Sequence, residues 1–576
     1  MKLIQKKWWL WLVAAIIFLA MGIRIFHLDK VPPALYWEEV AIGYDAYSVL
    51  HTGKDHHGHS WPIVAFESFG DNKPAFYFYA VMLFEGVFGL SAWAVRLPSA
   101  LAGVTTIGAI GFLMWKLSEG NAQYLRRLSV LMVTFITAVN PWAIQFSRGG
   151  WEVNLATCLV AWGVVCGWQS WVSKNKFKWL LGAMFLLALS MYTYHAARLV
   201  APILAGIVLV GNLLPFPKKI ALLHWSALKK VLASGVVFSV LILPLLLVST
   251  SSVTQQRFAE TSILADGKYF QESLAYKESL GGSPLTKIFA HRWLFAGRQV
   301  LANYLEHFRF DFWFVNGDLN PRHSTQFVGN VYLFELVPLC IGLGFLCFAR
   351  KYRSRFGGFI VLWILVGILP ASLTKAAPHA LRILIMMPAI MLSIGVGYLQ
   401  IALWLEQKGK YFLYLGIGMV LMVYAWSFSS YWRYYTSVYP ILVAKEWQYG
   451  YPEVIAATQL LKQQYPNVPI FFSGDLGRPA MYYWFYTQTD PKIVQAANAT
   501  ARKDQGEFLN FENISFVNTL PSDKESILVG PAKDLQPLRD TQRLHSVIEI
   551  HDARGQTFWL AGVLGATPTV SSATKQ

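Results

Sequence analysis

The chain has 576 residues, of which 55% are hydrophobic and 14% charged, and its mean hydropathy is +0.40. One soluble core cannot bury that much apolar surface, so the composition predicts an all-α polytopic membrane protein. The net charge of +17 is typical of nucleic-acid binders, but here the basic residues lie in short runs between apolar segments, where they orient helices in a bilayer. We therefore expect membrane lipids, and no nucleic acid, as partners.

The first apolar run, Trp8 to Phe26, follows three lysines and lacks a small-residue cleavage site. It predicts an uncleaved helix with a cytoplasmic N-terminus. With this run, eleven segments are long enough to cross a bilayer. These predicted spans are 8–26, 92–115, 129–146, 155–172, 179–195, 197–214, 231–250, 331–349, 357–374, 381–405 and 411–430.

The segment Ala75 to Leu90 is apolar but short. Its length of about 24 Å as a helix falls short of a hydrocarbon core of about 30 Å. We predict a re-entrant or interfacial helix, because the basic runs then fall together on the cytoplasmic side. Those runs are 2–7, 116–127, 174–178, 218–230, 350–355 and 408–410.

The same orientation gathers polar motifs on the outer face. Charge held beside a membrane is usually functional, and helix ends that converge around a polar cavity are typical of a membrane enzyme's active site. The segment 36–74 and three later outer motifs supply the candidate residues: Glu38, Glu39, Asp45, Asp71, Lys73, Arg148, Trp151, Glu152, Tyr194, His195, Arg198, His379 and Arg382.

Glu38 and Glu39 are the candidate catalytic residues. On a helix they would point about 100° apart, so one serves as a base while the other positions it. The neighbouring Tyr36 and Trp37 would raise a carboxyl pKa toward the range useful for taking a proton from an alcohol. The alternative is a solvated pair that caps an interfacial helix.

Four basic residues are predicted to bind a phosphate group: Lys73, Arg148, Arg198 and Arg382. Ordinary lipid anchoring and intramembrane ion pairs are the alternatives. The remaining candidates are assigned to substrate binding, with Trp151 and Tyr194 suited to stacking on sugar faces or to an aromatic belt. They are Asp45, Asp71, Trp151, Glu152, Tyr194, His195 and His379.

After Tyr431 the composition becomes that of a soluble protein. We divide the chain into a transmembrane domain (1–430), an extracytoplasmic α/β domain (431–566) and a disordered Ser/Thr-rich tail (567–576). The pattern predicts a helix at 453–464 and strands at 468–473, 526–529, 545–550 and 556–563.

Several of these motifs resemble a known family. W-E-E-V-A-I-G-Y-D-A-Y, then F-G-D-N-K-P-A-F-Y-F-Y, F-S-R-G-G-W-E, M-Y-T-Y-H-A-A-R and P-H-A-L-R-I-L-I-M-M-P follow one another over most of residues 1–400. Their order and spacing resemble bacterial GT-C glycosyltransferases of the protein O-mannosyltransferase and aminoarabinose-transferase type, glycosyltransferase family 39 and relatives. The resemblance implies the GT-C fold, with interfacial helices in the first outer loop.

The resemblance also implies an activity: inverting transfer of a sugar from a polyprenyl-phosphate carrier to an acceptor outside the membrane. In the family an acidic pair, usually Asp-Glu, supplies the base, and Lys-Pro approaches the carrier phosphate. Glu38 and Lys73 stand at these positions, and Glu38 departs from the usual Asp by one methylene. The sugar and the acceptor (a protein, a lipid or a cell-wall glycan) stay open.

Phosphate is already a competent leaving group, so positive side chains can replace acid catalysis or a metal, and no cofactor is required. A divalent metal stays an alternative, although the irregular spacing of His56, His57 and His59 does not favour one. Two other functions also stay open. One is a lipid-linked sugar transporter or flippase, and the other is an inactive GT-C scaffold.

Overall fold

A computed structural model describes residues 8–213, 225–248, 261–265, 267–280, 289–353, 356–497 and 508–565. The predicted disordered tail lies outside these residues. The α-helices up to the end of the membrane part are α1 (Trp8–Ile25), α2 (Trp37–Thr52), α3 (Phe76–Phe88), α4 (Ala92–Leu117), α5 (Gln123–Val139), α6 (Pro141–Ser147), α7 (Glu152–Val172), α8 (Lys176–Met191), α9 (Ala197–Leu213), α10 (Trp225–Val248), α11 (Lys268–Ser279), α12 (Arg292–Glu306), α13 (Phe310–Phe314), α14 (Leu336–Phe348), α15 (Arg350–Arg353), α16 (Gly357–Ser372), α17 (Met387–Lys408) and α18 (Lys410–Ser437).

The predicted membrane spans all overlap described helices. Among the described residues, six helices are long and apolar enough to cross a membrane, namely α1, α4, α7, α10, α17 and α18, or seven if α5 and α6 form one bent span. The other predicted spans fall on helices of 13 to 17 residues. The chain is a multi-pass membrane protein, as predicted. The count of eleven spans and the orientation of the termini stay predictions.

The predicted span 129–146 is broken between α5 and α6, whose axes differ by 56°. Pro141 begins α6 and has no N–H to continue the ladder of α5. Asn140 caps the new helix by accepting a hydrogen bond from the Ala143 N–H at 2.9 Å. The sequence Asn-Pro therefore ends one helix and starts the next in a new direction.

The first outer segment folds into α2 and a β-hairpin. Helix α2 ends at Gly53, whose φ of +70° suits glycine. Strands β1 (Ala65–Ser68) and β2 (Asp71–Pro74) pair antiparallel and place Phe66 opposite Lys73. The two turn residues, 69 and 70, both have positive φ, as a two-residue hairpin turn requires. Helix α3 follows directly and is about 20 Å long, which is shorter than a hydrocarbon core of about 30 Å. That it does not cross the membrane stays a prediction.

The C-terminal part is the predicted α/β domain. Its six-stranded sheet has the order β4-β5-β3-β6-β8-β7, with β3 parallel to β5 and β6. The predicted helix 453–464 is confirmed as α20. The predicted strands 468–473, 526–529, 545–550 and 556–563 are confirmed as β3, β6, β7 and β8, respectively. The elements after α18 are α19 (Tyr439–Leu442), α20 (Tyr451–Gln464), α21 (Pro479–Thr487), α22 (Pro491–Ala497), α23 (Ala532–Asp540), β3 (Ile470–Ser473), β4 (Asn510–Phe511), β5 (Ile514–Val517), β6 (Ser526–Pro531), β7 (Leu544–His551) and β8 (Thr557–Leu564).

The C-terminal domain and the first outer segment share one hydrophobic core. The Tyr44 hydroxyl of α2 donates to the Thr489 carbonyl at 2.8 Å, and Tyr482 donates to the Leu35 carbonyl at 2.9 Å. Gly43 lets α21 approach, since a Cβ there would lie 2.7 Å from a ring carbon of Phe485. The predicted domain boundary at 430 falls inside α18, which is one continuous helix to residue 437. The C-terminal α/β part therefore follows α18 and packs on α2.

Candidate active site

Glu39 is the buried member of the acidic pair. Its Oε1 lies 2.8 Å from Nε of Arg96 on α4, and its Oε2 lies 3.0 Å from Nη2 of the same residue. The carboxylate also accepts hydrogen bonds from the backbone N–H of Tyr36 and Gly150, at 3.1 and 2.7 Å. None of the side chain is exposed. The Glu39 carboxylate therefore fixes the start of α2, and a catalytic role for it stays a prediction.

Glu38 has a different environment. Because successive helix side chains point about 100° apart, Glu38 turns away from Arg96 and faces β2. Its carboxylate contacts the ammonium group of Lys73, and the two side chains are 30% and 6% exposed, respectively. The structure thus brings together the residues predicted as base and phosphate ligand, although they lie in different elements.

Arg322 is a third member of this site, and the sequence analysis did not select it. Its guanidinium carbon lies 4.9 Å from the ring centroid of Trp37 and 5.2 Å from that of Tyr36. Its Nε and Nη1 are buried and make no hydrogen bond among the described residues. It lies in the sequence N-P-R-H between α13 and α14, which gives no local sign of its contact with Trp37. We call Glu38, Lys73 and Arg322 the pocket.

The C-terminal domain covers the pocket. A Cβ placed on Gly477 would lie 3.9 Å from Cε3 of Trp37, so this loop rests on the start of α2. The loop is held by Tyr451, whose hydroxyl donates to the Gly477 carbonyl at 2.7 Å. Arg478 and Lys73 lie near the same ring, with their cationic groups 4.5 and 5.6 Å from the Phe69 centroid. The C-terminal domain therefore adds a further cation, that of Arg478, beside the pocket.

Arg148 has protein partners for its guanidinium, and its predicted role as a phosphate ligand stays a prediction. It is fully buried, and its guanidinium donates to the carbonyls of Ile23, Phe26 and Val31 at 2.6, 2.7 and 2.8 Å. Its role is to hold the turn that joins α1 to α2. We call Glu39, Arg96 and Arg148 the anchor.

The outer segment after α8 lies beside β2. The carbonyl of Tyr192 accepts a hydrogen bond from the Phe76 N–H at 2.9 Å, and Nε2 of His195 lies 3.0 Å from the Asn72 carbonyl. Arg198 is half-buried, with its Nε 3.4 Å from the Met191 carbonyl. This segment also contains the half-buried Tyr194. The predicted residues of this motif thus stand next to the strand that bears Lys73, and their binding roles stay predictions.

Two residues assigned to substrate binding are buried in the protein instead. Asp45 is fully buried, and its Oδ1 lies 2.5 Å from Nδ1 of His56. Trp151 is 3% exposed and packs against Tyr36 and Trp447. The structure corrects both predictions, because neither side chain presents a surface to a ligand.

Asp71 and Glu152 are half-buried. Asp71 begins β2 opposite Ser68, two residues before Lys73. Glu152 begins α7 just after Gly150, which binds Glu39. Their substrate-binding roles stay predictions.

His379 and Arg382 lie in a separate cluster with Asp318 and His323. Burial would raise the pKa of Asp318, but the two histidines and the Asn320 N–H lower it to about 2. Burial lowers the pKa of His379 well below its ordinary value, and His323 and Arg382 lower it further. Arg382 donates to Thr374 Oγ1 at 2.5 Å. The described contacts do not bring this cluster to Lys73, so a shared phosphate is not supported for Arg382.

The fold and these sites define a multi-pass membrane protein whose C-terminal α/β domain packs on the helix that carries Glu38 and Glu39. No family model and no curated protein matches the chain. Among solved structures, it is similar to ArnT from Cupriavidus metallidurans bound to undecaprenyl phosphate, with 14% identity and a TM-score of 0.49 over 96% of this chain and 98% of that one. The apo state of the same protein gives 13% identity and the same TM-score over 97% and 98%.

It is also similar to the archaeal oligosaccharyltransferase AglB from Archaeoglobus fulgidus, in complex with an inhibitory peptide and a dolichol-phosphate. The identity is 10% and the TM-score 0.45, over 99% of this chain and 75% of that one.

Proposed function

We propose that this protein is an integral-membrane glycosyltransferase that moves a sugar from a polyprenyl-phosphate donor to an acceptor hydroxyl. The contact between Glu38 and Lys73 is the observation that carries the proposal. It joins a partly exposed carboxylate to a nearly buried cation beside membrane helices. The motif resemblance supports the choice of donor and of the extracytoplasmic side.

Glu38 is the base in this proposal. Of the two acidic neighbours, it is the one with an exposed surface, while Glu39 is held by four hydrogen bonds to Arg96 and two backbone N–H groups. A base must reach within hydrogen-bond distance of the proton that it takes. Glu39 is therefore the positioning residue, and the helix that it fixes aims Glu38 at the acceptor.

Lys73 and Arg322 bind the donor phosphate. A cation held in a poorly hydrated site interacts with an anion more strongly than in water, and Lys73 is only 5% exposed. Arg322 brings two buried nitrogens that lack protein acceptors among the described residues. A phosphate oxygen would pair with the Lys73 ammonium group and accept hydrogen bonds from Arg322. These two residues would therefore stabilise the charge that develops on the leaving group.

The reaction is a single displacement. The acceptor oxygen attacks the anomeric carbon and its proton passes to Glu38, while the bond from that carbon to the phosphate oxygen breaks and polyprenyl phosphate leaves with the electron pair. Before the donor binds, Lys73 neutralises Glu38. When the phosphate takes Lys73, Glu38 is released from its ion pair and becomes available as a base.

The test is sugar transfer by the full-length protein in lipid vesicles that contain radioactive undecaprenyl-phosphate sugars and membrane extract as the acceptor source. Glu38→Gln should lower the transfer rate by about 10²- to 10⁴-fold, because the amide cannot take a proton. Glu38→Asp should lower it by about 10²-fold, since the shorter side chain withdraws the carboxylate by about 1 Å.

Glu67→Gln is the matched control, since Glu67 lies on the neighbouring strand β1 and is half-buried. It should transfer sugar at the unchanged rate. Normal transfer by Glu38→Gln would contradict the proposal. Movement of the intact lipid-linked sugar across the vesicle membrane without its consumption would favour the transporter instead.

A further inference from the structure

Three potential metal ligands come together from two outer loops. Asp318 and His323 lie between α13 and α14, and His379 lies between α16 and α17. Their ligand atoms all lie within 4.8 Å of one another. Among the described residues, this is the one group of at least three such side chains with that geometry.

The distances suit a metal ion. Oδ2 of Asp318 lies 3.3 Å from Nδ1 of His323 and 3.7 Å from Nδ1 of His379. In a tetrahedral site with bonds of about 2.0–2.1 Å, neighbouring ligand atoms stand about 3.3 Å apart. The three atoms are therefore close to the spacing that one central ion requires.

The two imidazole nitrogens that face Asp318 lack hydrogen bonds. Neither Nδ1 of His323 nor Nδ1 of His379 is bonded to any residue that the structure describes, and both atoms are buried. His323 is only 7% exposed. A buried polar atom without a hydrogen bond destabilises the folded protein. A cation that accepts both lone pairs would remove that destabilisation.

Other contacts hold the proposed ligands in place. Oδ1 of Asp318 accepts the Asn320 N–H at 2.8 Å, and its Oδ2 accepts the Ala380 N–H at 2.7 Å. The backbone N–H of His379 donates to Nε2 of His307 at 3.2 Å. Such outer contacts orient ligands before the metal binds.

We propose that Asp318, His323 and His379 bind one zinc-type divalent transition-metal ion. Two imidazoles and one carboxylate favour such ions over magnesium or calcium, which prefer oxygen ligands. The ion ties the loop 315–332 to the loop 373–383 and leaves its fourth position to water. It also fixes the loop that carries Arg322, the neighbour of His323.

The test uses the full-length protein in lipid nanodiscs, stripped with EDTA and equilibrated with Zn²⁺. Mass spectrometry of the dialysed protein should find about one zinc ion per chain. Asp318→Asn, His323→Ala and His379→Ala should each bind zinc at least about tenfold more weakly. His291→Ala, an exposed histidine in the same outer region, should leave zinc binding unchanged.

X-ray absorption at the zinc edge examines the site in the wild-type protein, so its result does not depend on whether the variants fold. It should show two imidazole nitrogens and carboxylate oxygen at about 2.0–2.1 Å. Zinc content equal to that of the wild type in all three ligand variants, a wild type that retains no zinc, or a shell without imidazole would overturn the proposal. None of these readouts depends on sugar transfer, so the outcome is independent of the proposed function.

Discussion

The anchor and the pocket contain the same kinds of charged side chain but use them differently. In the anchor, Arg96 donates two hydrogen bonds to Glu39 and Arg148 donates to backbone carbonyls, all without exposure to solvent. In the pocket, Glu38 is partly exposed and Arg322 has buried nitrogens without an acceptor among the described residues. The comparison teaches that the anchor is closed to solvent and built from bonds within the protein, whereas the pocket keeps a partly exposed carboxylate that a ligand can reach.

The largest expected effect is on stability, from Glu39→Ala. Removing this carboxylate leaves Arg96 buried without its charge partner, which costs about 3–5 kcal/mol. Thermal unfolding of the purified protein in detergent should show a clearly lowered midpoint. Glu38→Ala is the matched comparison and should lower the midpoint less, since the Glu38 side chain is 30% exposed whereas Glu39 is fully buried. Equal losses in both variants would contradict the distinction between anchor and pocket.

The next effect is also on stability, from Arg148→Ala. The carbonyls of Ile23, Phe26 and Val31 would lose a charged donor inside the protein. Hydrogen bonds to charged groups contribute about 1.5–3 kcal/mol each, although they are not additive, so we expect a loss of about 3 kcal/mol. The same unfolding measurement checks it. An unchanged midpoint with weakened phosphate binding would instead restore Arg148 as a phosphate ligand.

The smallest effect is on binding, from Arg322→Ala. This variant should unfold at nearly the wild-type temperature but bind undecaprenyl phosphate about tenfold more weakly, which corresponds to about 1.4 kcal/mol. Equilibrium titration in lipid nanodiscs measures the change. Arg322→Lys should restore part of the affinity, since a charge remains but the planar fork is lost. Unchanged affinity in Arg322→Ala would remove Arg322 from the pocket.

The fold was predictable where one apolar face or run determines an element. The membrane segments overlap helices, and β6, which is buried along its whole length, reads as a continuous apolar run. The hairpin of β1 and β2 was missed, because D-N-K-P has no alternation of apolar and polar residues. The break at Asn140-Pro141 was missed because hydropathy does not register a lost backbone donor.

The site was predictable in its local parts only. The motifs selected Glu38 and Lys73, which the structure brings into contact. Composition does not report burial, so Glu39 was given a catalytic role and Arg148 a phosphate-binding role although both are buried. Arg322 was missed because it reaches Trp37 from a loop far away in the chain, and such long-range contacts leave no local pattern.

The central claim is that Lys73 exchanges Glu38 for the donor phosphate. It is tested most directly by titrating undecaprenyl phosphate into the wild type, Lys73→Ala and Glu38→Gln, each in lipid nanodiscs. Lys73→Ala should weaken binding by about tenfold or more. Glu38→Gln should strengthen it, because the competing carboxylate loses its charge. Weakened binding in both variants, or unchanged binding in both, would contradict the exchange.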